Sequence, residues 1–361
     1  MTMTNATTTF PYALTRAGVI MTPEDGNVLE AEGVLNPATG HAPDGTLYLL
    51  PRLVAEGNVS RVGLAKVVIE DGTPVGVERE GIVLEPDRGW ERGAKNAGVE
   101  DPRVTFIPSL GLHVMTYVAY GPLGPRTAVA TSVDLREWTR LGPALFTFDD
   151  SLDMDLNLFH NKDTVFFPEP VTAPDGVESF AVLHRPMWDL SETRPGEGVR
   201  LPAGITDSRQ SIWIAYIPVA AVKQDISALT LWTQSRLLAG PEFPFEALKI
   251  GGGPPPIRVP EGWLILHHGV TGTIDSAFSQ QQKVNYAAGA MILDANDPTI
   301  VLARSSEPLL TPETAEETSG TLANVVFPTA IAARVVVPSS ALISARSLAA
   351  VSSASPCAPE T

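Results

Sequence analysis

The segment Gly98-Val99-Glu100-Asp101-Pro102-Arg103 packs two adjacent carboxylates, a proline and an arginine into four consecutive positions. Proline fixes its own φ and steers the preceding residue towards extended backbone, so Asp101 is expected to emerge from a stiff, extended chain. Glu100 raises the proton affinity of Asp101 and Arg103 lowers it, a balance that suits a general acid. The same residues also read as a solvated acidic turn with a local ion pair. Arg52, Arg185, Lys249 and His268 each follow or end an apolar run. Converging from strand ends, they would form an anion site in which arginine supplies bidentate donors for phosphate. Singly, each reads as well as a salt bridge or a surface charge. The Gly251-Gly252-Gly253 run after Lys249 is not followed by the Lys-Ser/Thr pair of a phosphate-binding loop, so it also reads as a linker. His267 and His268 lack the cysteine partners or the HExxH spacing of a zinc site.

The elements that would position these groups are short and β-rich. Thr46–Leu50, Val62–Ile69, Val104–Ile107, His113–Tyr120, Ala128–Ser132, Thr164–Phe167, Phe180–Leu183, Ile212–Ile217, Trp263–His267 and Ala287–Leu293 are apolar or alternating runs between Gly, Pro, Asn and Asp breakers. This pattern predicts an all-β sandwich, barrel or propeller with no long amphipathic helix. Ser132-Val133-Asp134-Leu135-Arg136-Glu137-Trp138 reads as a strand end, a polar turn and an aromatic, either in a propeller or in an ordinary hairpin. Internal repeats are too degenerate to count blades.

The 361 residues are 44% hydrophobic, enough for a large core, and the 32 prolines and 30 glycines suit many turns. A formal net charge of −16 argues against nucleic acid or an anionic membrane as partner, though local cations can still bind an anionic substrate. The single cysteine, Cys357, excludes an internal disulfide and points to a cytoplasmic protein. Met1 to Phe10 lacks the basic and apolar regions of a signal peptide, and no apolar stretch of about 18 residues suggests a membrane span. From Ala330 the chain becomes rich in Ala, Ser and Val with no aromatic residue. Poor order is expected there, at least from Ser347, although Ala333–Val337 could pair as a strand.

Taken in order, the segments resemble glycoside hydrolase family 130. They are Asn36-Pro37-Ala38, Asp44 to Arg52, Ser60 to Ala65, Gly98 to Arg103, Ser132 to Trp138, Lys162-Asp163 with Phe167-Pro168-Glu169, His184-Arg185-Pro186, Lys249 to Pro255 and Gly262 to Val270. Tyr286 to Asp294, Asp297-Pro298 and Asn324-Val325-Val326-Phe327-Pro328 complete the match, which runs from about Gly33 to Thr329.

The resemblance implies a five-bladed β-propeller catalytic domain over 1–329, with 330–361 as an atypical segment that could leave the last blade incomplete. It implies inverting phosphorolysis of β-mannosides, giving α-mannose 1-phosphate and a free acceptor sugar, with a mannose-containing disaccharide or oligosaccharide and inorganic phosphate as substrates. No cofactor or metal is implied. Asp101 takes the catalytic role: it protonates the 3-hydroxyl of the mannosyl unit, which passes its own proton to the glycosidic oxygen. Arg52, Arg185, Lys249 and His268 match positions near the phosphate and the −1 sugar, with Asn161 and Lys162 in a further phosphate-contacting segment. Asn36, Glu100, Arg103, Asp163 and His184 are the substrate-side candidates. Members of the family often form homo-oligomers. Some members are β-mannosidases that use water; an inverting hydrolase needs a base about 6.5–9.5 Å from the acid, here Glu100, Asp163 or Glu169. A phosphorylase needs a cationic cradle instead. A third reading is a sugar-binding propeller inactivated by its altered C-terminus, where a Tyr-Tyr-Gly-Ala-Ala-Asp-like strand usually follows. An unclosed sheet edge there would lower stability. Acceptor choice is expected in variable loops such as Asp189–Ser208.

Overall fold

The computed structural model describes residues 10–191, 194–273, 283–319 and 322–332. The expected runs Ala333–Val337 and the Ala/Ser tail from Ser347 lie outside the described residues, as do the first nine positions. Among the described residues strands are the main regular element, and all ten predicted β runs fall on strands, give or take a residue at the ends. The α-helices among the described residues are the short α1 (Val219–Gln224) and α2 (Ala315–Thr318).

The strands come as four successive antiparallel meanders. The first is β1 (Gly33–His41), β2 (Leu47–Ala55), β3 (Val59–Glu70) and β4 (Thr73–Leu84). The second is β5 (Ala97–Ile107), β6 (Leu112–Gly121), β7 (Gly124–Ser132) and β8 (Thr139–Pro143). A short parallel pairing of Val59 and Ser60 with Ala97 and Gly98 joins these two into one sheet. Gly98 has φ +123°, and a Cβ there would lie 2.2 Å from the Ser60 carbonyl oxygen, so the approach requires glycine. The third meander gathers β9 (Leu145–Phe146), β10 (His160–Phe166), β11 (Val171–Thr172), β12 (Glu178–Met187), β13 (Ile212–Pro218) and β14 (Leu231–Ala239). The fourth holds β15 (Lys249–Gly252), β16 (Ile257–Val259), β17 (Gly262–Thr273), β18 (Lys283–Leu293) and β19 (Val301–Arg304).

These meanders pack face to face in chain order. Leu50 and Val62 of the first meet Val104 and Met115 of the second. Ile107, Val114 and Val129 of the second meet Phe166, Val182, Trp213 and Trp232 of the third. Val165, Leu183 and Ile214 of the third meet Ile250, Ile265 and Met291 of the fourth. Strands covered on both faces need apolar residues at every position, which is why β12, β13, β17 and β18 read as solid rather than alternating runs. The remaining face of the fourth meander is covered by Phe10 and Tyr12 from one end of the chain and Ile331 from the other.

A repeated device ties the meanders. Buried Glu30, Glu91 and Glu246, each just before an innermost strand, pair with Arg79, Arg140 and Arg304 of the outermost strand of the same meander. A fourth pair joins Glu317 to Arg16, 301 positions away, with Arg16 Nε and Nη2 donating at 2.8 and 2.9 Å. Each glutamate follows a Pro-acid pair: Pro23-Glu24, Pro86-Asp87, Pro241-Glu242 and Pro312-Glu313. The C-terminal segment is bonded on both sides. Tyr286 N donates to Asn324 O at 2.9 Å and Val326 N to Tyr286 O at 3.0 Å. Thr329 Oγ1 donates to Pro37 O and Thr39 Oγ1 to Ile331 O, both at 2.7 Å.

Candidate active site

Three innermost strands carry the same irregularity. The register slips between Leu35 and Ala38 in β1, between Glu100 and Arg103 in β5, and between Lys162 and Val165 in β10. At each slip one polar residue has left-handed backbone: Asn36 (φ 45°), Asp101 (φ 48°) and Asp163 (φ 54°). Asn and Asp tolerate this conformation better than other non-glycine residues, and a bulge re-aims the side chain that it displaces. The extended backbone expected for Asp101 before Pro102 is therefore corrected. The bulge selects the left-handed region, turning the carboxylate out of the strand's regular alternation.

Around Asp101 the first cluster assembles. Its Oδ1 accepts from Asn36 Nδ2 at 2.7 Å and from Arg52 Nη1 at 2.9 Å. Arg52 is otherwise committed: Nε donates to Ser60 Oγ at 2.8 Å, and Nη2 to Asn58 Oδ1 at 3.0 Å and Glu100 Oε1 at 2.8 Å. Lys162 Nζ stands 3.7 Å from Glu100 Oε2. Burial pushes the Asp101 carboxyl up, but Arg52, Lys162, the Asn36 hydrogen bond and Arg103 outweigh it and hold the group below the usual carboxylate range.

The second cluster centres on Asp163. Arg185 Nε donates to its Oδ2 at 2.5 Å, and His268 Nε2 lies 3.4 Å from the same oxygen. Burial raises the Asp163 carboxyl, and Arg185, His268 and Arg103 bring it well below the ordinary value. Lys249 Nζ sits 5.4 Å from the centre of the Tyr286 ring. Burial, then repulsion from Arg185, pushes Lys249 down to about 7. His268 is pushed well below its usual value, mainly by burial, so it acts as a neutral group rather than the cation it could have been. The first two glycines of the run are strand, not linker, and a Cβ on Gly251 would lie 2.1 Å from Asp163 Oδ2 and 2.5 Å from His268 Cε1. Between the clusters lies Arg103, 1% exposed, whose Nε donates to Gly253 O at 2.9 Å. Nη1 and Nη2 of Arg103, Nη1 of Arg185 and Nδ1 of His268 are buried without a hydrogen-bond partner among the described residues.

The structure thus brings Asn36, Arg52, Glu100 and Asp101 into one cluster and Asp163, Arg185, Lys249 and His268 into its neighbour. Several expected roles change. Arg52 is spent on protein acceptors and belongs to the pocket of Asp101 rather than to an anion cradle. Glu100 and Asp163 hold cations in place rather than facing a ligand freely. Arg103 is enclosed beneath the site. His184 is not in it: alternation along β12 turns it away from Arg185, and its ring packs 5.0 Å from Phe146 and 5.9 Å from Trp232. There Asn161 Nδ2 donates to its Nδ1 at 3.0 Å, and burial pushes the ring down to about 3, so it is a neutral core histidine. Glu169 is exposed on a bend. Tyr286, in β18, and Phe327, in the irregular segment after it, were not foreseen as site residues, because within apolar runs they carry no polar signal.

A family model described as beta-1,4-mannooligosaccharide phosphorylase matches residues 30–337. A 1,2-beta-oligomannan phosphorylase of Thermoanaerobacter sp. is 27% identical over 316 residues, covering 85% of each chain. A beta-1,4-mannooligosaccharide phosphorylase of Ruminococcus albus is 38% identical over 230 residues, which span 64% of this chain and 54% of that protein. The solved structure of the beta-1,2-mannobiose phosphorylase from Listeria innocua superposes with a TM-score of 0.61 at 23% identity, covering 87% of this chain and 88% of that one, and so shares the fold.

Proposed function

Because the chain belongs to glycoside hydrolase family 130, we propose that it is an inverting phosphorylase that cleaves β-mannosides with inorganic phosphate, releasing α-mannose 1-phosphate and a free acceptor sugar. The phosphorylase names of its relatives support this reading. The observation that carries it is the buried pair of cationic side chains, Arg185 and Lys249, set with the neutral His268 around Asp163, next to an acid that is already paired. Phosphate is an anionic nucleophile and needs cations to seat it, not a base to activate it. Among the described residues, Glu100 and Asp163 both already accept from cations, and Glu169 is exposed. A hydrolytic base has no suitable occupant among these three.

In this reading Asp101 protonates the 3-hydroxyl oxygen of the mannosyl unit, and that hydroxyl's own proton passes to the glycosidic oxygen. The bond from C1 to the leaving oxygen breaks as a phosphate oxygen bonds to C1 from the opposite face. Both side-chain donors to Asp101 converge on Oδ1, which makes Oδ2 the proton-carrying oxygen. The free site holds Asp101 ionised. A phosphate bound beside it offsets Arg52 and Lys162 and raises its proton affinity, so nucleophile and acid are readied together. Asp101 regains its proton from solvent or phosphate after turnover.

The reading includes a five-bladed propeller. The four meanders supply four blades, and the segment 322–332 with the N-terminal strip around Arg16 supplies the fifth. The Arg16–Glu317 pair supports this, since it repeats the tie of three other meanders. The compartment is taken to be the cytoplasm, on the single cysteine alone. The test is product analysis with β-1,2- and β-1,4-mannobiose, with and without inorganic phosphate. Mannose 1-phosphate formed only with phosphate is the expected result; free mannose in both conditions would replace the proposal with a mannosidase.

A further inference from the structure

Phe327 touches three groups of the site at once. Its ring stands 4.4 Å from the His268 ring at 86° and 5.9 Å from Tyr286 at 72°, while the Arg103 guanidinium carbon lies 5.2 Å from its centre. Those partners come from β17, β18 and β5. None of the three is held by Phe327 through a hydrogen bond, so shape and the ring's charge distribution do the holding. An arginine over an aromatic face and an edge-on ring pair both have preferred geometries. The segment is fixed close by: a Cβ on Gly253 would lie 2.9 Å from Pro328 O, and Gly253 O is the acceptor of Arg103 Nε.

We infer that Phe327 is the positioning residue of the anion cradle, its ring setting the angles at which Arg103 and His268 face Asp163. The inference rests on the phosphorolytic reading and extends it to the C-terminal segment. Each of the two is held at one nitrogen only, Arg103 by Nε on Gly253 O and His268 by Nε2 at 3.4 Å from Asp163 Oδ2, and its other buried nitrogens have no partner among the described residues, so a single polar contact leaves the tilt of each group to be set by what packs against it. The ring supplies what hydrogen bonds do not. It also backs the cradle with apolar surface, which strengthens the field of Arg185 and Lys249 on a bound anion.

The experiment is calorimetric titration of the full chain with inorganic phosphate, alongside kinetics, for the native protein and Phe327→Leu, Phe327→Ala and Phe327→Tyr. Leucine keeps apolar bulk but loses the ring, so it separates positioning from packing. The expected result is phosphate affinity at least about tenfold weaker in Phe327→Leu, equivalent to about 1.4 kcal/mol. Its melting temperature should stay near the native value, the phosphate KM should rise more than kcat falls, and tyrosine should restore binding. Arg16→Ala, which loosens the same segment far from the cradle, should lower melting temperature without changing phosphate affinity. Native phosphate affinity in Phe327→Leu overturns the inference alone, as does a raised mannoside KM with phosphate affinity unchanged, which would make the ring a sugar platform. No phosphate binding by the native protein overturns the inference and the phosphorylase reading together.

Discussion

Asn36 and Asp101 are 65 positions apart, yet Asn36 Nδ2 donates to Asp101 Oδ1 across 2.7 Å. Both residues have left-handed backbone at a bulge in the innermost strand of their own meander. The contact therefore needs two matching distortions. Either strand, made regular, would return its side chain to the alternation of the sheet and separate the pair. A non-glycine residue in this conformation costs on the order of 1–3 kcal/mol, and such strain persists where surrounding contacts over-determine it. Here Arg52 provides that restraint by binding Asp101 and Glu100 at once.

Asp101→Asn tests the acid. Asparagine tolerates the left-handed conformation and keeps nearly the same shape, so folding should survive. It has no proton to give, and turnover should fall by about 10²–10⁴-fold, the usual worth of a positioned general acid. Steady-state kcat with an unchanged melting temperature is the check. Retention of more than a tenth of native turnover would remove Asp101 from the role.

Arg52→Met tests the reassignment of that residue. A cradle arginine would show itself as a raised phosphate KM. As the holder of Asp101, its loss leaves Glu100 and Asp101 adjacent with less compensation, raising the Asp101 pKa. The alkaline limb of kcat/KM, where the acid loses its proton, should then move to higher pH, and stability should fall by about 3–5 kcal/mol for a broken buried pair. A pH profile with denaturant unfolding separates the two roles.

Much of this was legible in the chain, and the parts that were not share a cause. Runs such as Phe180–Leu183 and Ile212–Ile217 announced strands because both of their faces are covered. Asp101, Arg185 and Lys249 were legible as chemistry by residue type. Which way a side chain points depends on register, and register is not written locally. His184 and Arg185 are neighbours in sequence but face opposite ways, and Arg52 looked like a free cation until Ser60, Asn58, Glu100 and Asp101 closed around it. The Pro-acid-Glu repeat escaped notice because the interval to the glutamate is longer before Glu30 than before Glu91, Glu246 and Glu317, and its arginine partners lie far along the chain.

Lys249 gives a pH prediction. Its pKa is pushed down to about 7 by burial and Arg185, so in the free protein its charge is present below that pH and lost above it. Phosphate affinity should weaken as pH rises past about 7, whereas Lys249→Arg, always charged, should flatten that dependence. The stability sign is the reverse. An unfolded lysine keeps its proton to about 10.4. Between about 7 and 10.4 the unfolded chain therefore binds more protons than the folded one, and folding stability gains as pH rises through that window. Titration with phosphate at several pH values, with parallel melting curves, reads both effects. Phosphate affinity with the same pH dependence in the native and Lys249→Arg proteins would show that the lysine does not titrate there.

The Arg16–Glu317 pair bears on whether the ring is closed. The altered sequence after Pro328 predicted an open edge, yet residues 322–332 are bonded to β18 on one side and to β1 on the other. Arg16 supplies the tie that Arg79, Arg140 and Arg304 supply in other meanders, with the difference that its partner lies at the far end of the chain. In the unfolded chain that contact requires closing a loop of almost full length, so it forms only when the two ends of the fold have come together. Arg16→Ala strands the Glu317 carboxylate, which is only 3% exposed, without its cation. The expected cost is about 3 kcal/mol, read as a lower urea midpoint with an unchanged slope. Arg79→Ala strands Glu30 inside a single meander and should cost a similar amount. If the ends close the ring, Arg16→Ala should also speed proteolysis at both termini while Arg79→Ala does not. Equal protection of the termini in the two variants would mean that the ends are held by something other than this pair.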